Sequence, residues 1–120
     1  MIANEVIQKM LEARDVTHYK HWNTTSYAEH KALGKFYDGW LDLVDSFVET
    51  YQGRYQRIEG DVVVSVTSGV DSLAYLTALR SFISVEAMSI IVPALDIDLA
   101  NILADMLGLV NQTIYLLTLK

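Results

Sequence analysis

Apolar residues return at steps of three and four in four stretches of the chain, and a β-branched stretch flanked by breakers separates the second from the third. In the first, Val6, Ile7, Met10, Leu11 and Ala13 follow Asn4, whose side chain suits an N-cap. The same stripe continues through Thr17, His18, His21 and Trp22. Asn23-Thr24-Thr25-Ser26 interrupts it, and Ser26-x-x-Glu29 matches a capping box that starts a second helix at Tyr27. So short a connection makes the first two helices antiparallel neighbours and brings His21 and His30 to the same end of the hairpin. The second helix is long. Its apolar stripe runs from Leu33 through Phe36, Trp40, Val44 and Phe47 to Tyr51 and Tyr55, and beside it lies an acidic stripe of Asp38, Asp42, Asp45 and Glu49. The tryptophans Trp22 and Trp40 and the tyrosines read as core.

Between Ile58 and Asp71 the pattern changes. Gly60-Asp61 and Ser68-Gly69 bracket Val62-Val63-Val64-Ser65-Val66-Thr67, which is β-branched and extended. A lone strand would find no partner elsewhere in the chain. A crossover fits better: about thirteen extended residues span roughly 40 Å, the length of a helix of about thirty residues. Asp71 or Ser72 then caps a third helix carrying Leu73, Leu76, Leu79, Ile83, Ala87 and Ile90, which Pro93 ends. Asp96 or Asp98 caps a fourth, with Leu99, Ile102, Leu103, Met106, Val110, Ile114 and Leu117 inward. The expectation is one all-α domain over 1–120, with helices at about 4–22, 27–57, 71–91 and 96–119. One long crossover between the second and third gives the connectivity of ferritin-like bundles.

Composition narrows the chemistry. The chain has no cysteine, which excludes disulfides, zinc ribbons, iron–sulfur clusters and thiol catalysis. Histidine and carboxylate remain as metal ligands, and they suit iron, manganese or zinc. A net charge of −6, with no basic arm, argues against duplex DNA as a partner. The start lacks the pattern of a signal peptide, and the longest charge-free stretch, 106–119, is too short to cross a membrane. A cytoplasmic protein is expected. Hydrophobic residues make up 52% of the chain, which points to apolar surface covered by another subunit.

All three histidines fall between positions 18 and 30, and Asp45 and Glu49 lie one helical turn apart farther along the second helix. His30 and Asp45 are separated by about 22 Å along that helix, so they cannot share an ion within one chain. A second copy related by a two-fold axis removes the difficulty. If the long helices pack antiparallel, His21 and His30 of one subunit face Asp45 and Glu49 of the other, and symmetry gives two sites per dimer. An intrachain di-iron centre would need Glu-x-x-His on two helices, and only Asp15-x-x-His18 comes near it. His18 and Asp38 are weaker candidate ligands. His18 reads first as a structural or partly exposed residue, and Asp38 and Asp42 as solvated ones. Like charges at i,i+4 repel by a few tenths of a kcal/mol, a cost that a cation or a basic partner would relieve.

With these residues in view, the segment His21–Gly53 resembles the Dps-type mini-ferritins. In that family a histidine directly before tryptophan ends the first helix, as His21-Trp22 does here, and a second histidine begins the second helix, as His30 does. An aspartate fifteen residues later and a glutamate four beyond it match Asp45 and Glu49, and Gly53 falls where the family often has glycine. The fourth helix is similar in its Asp-Leu-x-x-Ile-Leu opening and its Tyr115-Leu116-Leu117 close. The resemblance implies a four-helix subunit, an iron site at a two-fold interface, and oxidation of Fe(II) there, with storage if a closed shell forms. Iron held by two imidazoles and two carboxylates keeps open positions for an oxidant.

The chain departs from the family in three ways. The gap from His21 to His30 is three residues shorter than usual, the crossover lacks a short helix, and the basic N-terminal extension is missing. These departures bear on the twelve-subunit cage more than on the dimer. The general likeness is to a compact, divergent relative of the kind that bacteriophages encode. A second expectation, of another class, is a non-catalytic ferritin-like homo-oligomer that uses its surface to bind another protein.

Overall fold

The computed structural model describes residues 2–120, which form four α-helices and no strand. Helix α1 spans Ala3–Asn23, α2 Tyr27–Arg54, α3 Ser72–Phe82 and α4 Ile97–Leu117. A π-helical turn, Ile83–Ala87, continues α3. The molecule measures 42 × 28 × 20 Å. Among the described residues no helix is long and apolar enough to cross a membrane.

The long apolar stripe of α2 supplies the middle of the core. Leu33, Phe36, Trp40 and Phe47 are wholly buried, and Val6 and Met10 of α1 close over them from one side. From the other side come Leu76, Leu79 and Ile83, together with Leu99, Leu103, Met106 and Val110 of α4. Trp40 is the anchor. Its ring lies 5.3 Å from that of Phe36, and its indole N–H donates to the carbonyl of Met10 at 2.8 Å. A buried aromatic that also satisfies its polar atom fixes α1 against α2 in one register.

Contacts at the two ends set the directions. Asn4 Nδ2, at the start of α1, donates to the carbonyl of Glu59 just past α2, so α1 and α2 run antiparallel. The start of α4 meets the end of α2 through Asp96, Arg54 and Tyr55. At the opposite end Leu116 and Leu119 lie beside Ala28 and Lys31. Tyr75 of α3 donates to Glu12 of α1 at 2.8 Å, and Arg80 donates to Asn111 of α4 at 3.1 Å. The joining stretch 56–71 has neither helix nor strand, and it turns through positive φ at Gly60 (91°) and Gly69 (77°).

Several local expectations are corrected. Asn4 is inside α1; Ile2 occupies the N-cap position, and the Asn4 side chain is drawn to Glu59 instead. Helix α2 stops at Arg54 rather than near 57, where Tyr55 turns to Asp96. Asp96 does not cap α4 with its side chain. Trp22 is 66% exposed and Tyr27 75%, so neither belongs to the core. Leu73 is likewise exposed. The third stretch holds a π turn because its inward residues Leu79, Ile83, Ala87 and Ile91 recur every four positions. A wider, i→i+5 turn keeps that spacing on one face where an α-helix would drift away from it. Asp71 does cap α3, accepting from the amide of Ala74 at 2.9 Å.

Candidate functional site

The hairpin between α1 and α2 is closed at residue level. Ser26 Oγ accepts from the amide of Glu29 at 3.2 Å, as the capping box requires. The returning half is relayed: Thr24 donates to Glu29 and accepts from the amide of Ser26. This cap aims α2 back along α1 with His30 in its first full turn, level with His21 in the last turn of α1.

The two histidines hold each other. His21 Nδ1 lies 2.6 Å from the carbonyl oxygen of His30, and His30 Nδ1 lies 2.8 Å from that of His21. A carbonyl only accepts, so both rings donate through Nδ1–H. The carbonyl of His21 is among the last four of α1, which the helix itself leaves unpaired, and His30 supplies the missing donor. The rings stack at 3.8 Å with a 15° tilt. In the neutral form each imidazole therefore presents Nε2 with its lone pair free. Anchoring Nδ1–H on a backbone carbonyl is how proteins commonly orient a metal-ligating histidine.

The floor of the pair is Gly34, a residue that the sequence reading passed over. A Cβ there would come within 2.9 Å of His21 Cε1 and 3.1 Å of its Nδ1, so only glycine allows the ring to lie flat against α2. A glycine inside a long helix, one turn past a histidine, was a usable signal, since it costs about 1 kcal/mol against alanine.

His18, the weaker candidate, is one ring removed. It stacks on Tyr37 at 3.9 Å and touches Trp22 at 4.1 Å, with its centroid 6.2 Å from that of His21. Burial lowers its pKa from the ordinary 6.5, and the nearby charges of His21 and Arg14 act in the same direction, against an opposing effect of Asp15. His18 thus packs between Tyr37, on which it stacks, and Trp22, whose ring is tilted by 43°.

Asp45 and Glu49 lie on the exposed side of α2, as does Asp38. Among the described residues no three of the His, Asp and Glu side chains come together as a group able to hold a metal. The chain thus pairs His21 with His30 and leaves the carboxylates apart, as the axial separation of about 22 Å requires. The histidine pair opens onto a groove of about 640 Å³ between the start of α2 and the end of α4. Lys31 and Lys35 stand at its edge and Leu116 and Leu119 form its apolar wall. The sequence reading missed both lysines.

No curated protein matches the chain, and no solved structure matches it. A family model does, over residues 21–117, a span that runs from the first histidine of the pair to the end of α4. The chain belongs to that family, described as a family of unknown function (DUF5856).

Proposed function

We propose that the protein is a cytoplasmic, Dps-like homodimer that binds Fe(II) and promotes its oxidation at two sites, each shared across a two-fold axis. The observation that carries this reading is the reciprocal anchoring of His21 and His30. It leaves Nε2 of both rings free of the backbone, on two residues that line an open groove. Two imidazoles alone make a weak iron site, and the open side calls for hard oxygen ligands. Asp45 and Glu49 of a second copy would supply them. His18 takes no part as a ligand, and Asp38 lies nearer the dyad.

A ferritin-like connectivity belongs to the same proposal. The start of α3 lies with Ser26 and Glu29 at the beginning of α2, so the stretch 56–71 returns along the bundle before α3 begins. Such a course would suit a long crossover between parallel second and third helices.

Iron is the substrate. Carboxylate ligands favour the more highly charged ferric state, so the site assists loss of an electron. The two sites of a dimer deliver the two electrons that one peroxide accepts, with two protons, to leave as water. Dioxygen is the other acceptor of this class. Acid opposes binding, because protons compete with metal for the ligand atoms.

Anaerobic titration of the protein with Fe(II) tests the proposal. Two ions bound per dimer, and loss of both in His21→Ala/His30→Ala, are expected, followed by ferric absorbance when peroxide is added. Absence of Fe(II) binding to the wild-type dimer would leave the alternative, a non-catalytic homo-oligomer. The exposed Trp22, Tyr27 and Tyr115 would then be its contact surface.

A further inference from the structure

On the exposed side of α2, Lys31, Lys35, Asp38, Asp42, Asp45 and Glu49 follow one another at steps of four, three, four, three and four. At 100° per residue all six fall within about 40° of Lys31, one straight line up the helix. The line is segregated: two cations toward the helix start, four anions toward its end. Within a single chain this order is unfavourable. Lys31/Lys35, Asp38/Asp42 and Asp45/Glu49 are like-charged i,i+4 pairs. The cations also lie toward the positive end of the helix dipole and the anions toward the negative end. Neither lysine has an ion-pair partner among the described residues, where the ion pairs are Lys9–Glu12 and Arg54–Asp96.

From this we infer that the charged line of α2 is a self-complementary docking surface whose occupant is the same line of a second copy, running antiparallel. With the two-fold axis at residue 40, Lys31 meets the partner's Glu49 and Lys35 meets the partner's Asp45, and symmetry repeats both pairs. Four opposite-charge rungs then offset the repulsion between like-charged neighbours on each helix. Only the central rungs, Asp38 against the partner's Asp42, stay unfavourable. The steps of 3.5 residues keep the line facing its partner along the whole contact. The groove beside His21 and His30 is edged by the same two lysines and has no acidic residue in its lining, so the partner's acidic half finds a basic wall there. His30, about 100° from Lys31, lies on the same flank of the line as Asp45. This register therefore carries the partner's carboxylates to the histidine side. The inference rests on the dimer proposed above but not on its metal. The lysines hold the carboxylates in metal-free protein and are displaced when a cation takes them.

Charge exchange tests this, with chelator present throughout and folding verified by circular dichroism. Lys31→Glu/Lys35→Glu makes the line wholly acidic, and Asp45→Lys/Glu49→Lys replaces its acidic end by a basic one. Sedimentation should show each variant alone self-associating at least tenfold more weakly than wild type, while the equimolar mixture, in which every lysine–carboxylate rung is re-formed, returns to dimer. Asp38→Asn should strengthen the wild-type dimer, because it removes the central repulsion. Undiminished self-association of either variant, a mixture of folded variants that stays monomeric, or a weaker Asp38→Asn dimer would each overturn the register. Should a double reversal not fold, Lys31→Gln/Lys35→Gln replaces it, and an unweakened dimer there is equally contrary. Rescue by mixing in protein that binds no iron would sink the metal reading and leave the surface standing.

Discussion

Gly34 leaves no room for a side chain, because a Cβ would stand 2.9 Å from the imidazole of His21. Gly34→Ala should therefore turn the His21 ring and break the reciprocal bonds. Alanine gains about 1 kcal/mol in helix propensity. The two hydrogen bonds are worth about 1 kcal/mol each net, so stability should fall by roughly 1 kcal/mol. Iron affinity should fall further, since the His21 ring is no longer held in one orientation. Urea unfolding and Fe(II) titration check the two parts, and unchanged affinity would speak against the role given to His21. At this scale the sequence disclosed the histidines, through their positions at the two ends of one hairpin. Their lock stayed hidden because both acceptors are backbone carbonyls, which no residue letter reveals. Trp22 misled for a related reason. It continues an apolar stripe into the last turn of α1, where it packs beside His18 yet stays two-thirds exposed.

The number and order of helices were legible because their apolar stripes are long and regular, and the hairpin because Ser26 caps α2 as its spacing to Glu29 suggests. Helix ends were less so, since residues that look like caps were recruited elsewhere. Asp96 is the clearest case. It is 1% exposed and accepts from Arg54 Nε at 3.0 Å, from the amide of Val92 at 2.8 Å and from the hydroxyl of Tyr55. It thereby ties the end of α2 to the start of α4. The Tyr55 hydroxyl and the Val92 amide hold the Asp96 pKa below its ordinary 3.8, with Arg54 adding to them against burial. The Asp96 carboxylate in turn raises the Tyr55 pKa above 10. A depressed carboxyl pKa gives stability that is present above pH 3.8 and lost as pH falls through the folded value. A raised phenol pKa gives stability that is lost as pH rises beyond 10. Asp96→Asn should lower the urea midpoint near neutral pH and flatten the decline on both sides. Equal slopes in wild type and variant would show that the tie contributes nothing.

At the scale of the molecule, the isolated chain leaves much unfinished. Trp22, Tyr27, Tyr115 and Leu119 are all exposed. Lys31 and Lys35 on the charged line of α2 have no ion-pair partner among the described residues, and no carboxylate joins the histidine pair in a metal-holding group there. The proposed dimer rests, at the level of sequence, on the apolar composition and on length: ligands about 22 Å apart on one helix need two chains. Which residues would hold that dimer together was not legible, because Lys31 and Lys35 gain meaning once the groove beside the histidines is known. The most direct test of site sharing mixes two broken subunits. One carries His21→Ala/His30→Ala and the other Asp45→Ala/Glu49→Ala, with different tags so that the mixed dimer can be isolated and its folding verified. Each homodimer has both sites broken and should bind no iron at either. In the mixed dimer the histidines of one chain meet the carboxylates of the other once, so about half the wild-type capacity should return, by two-fold symmetry. A verified mixed dimer that binds no iron, or a homodimer of either variant that binds like wild type, would contradict a site shared between chains.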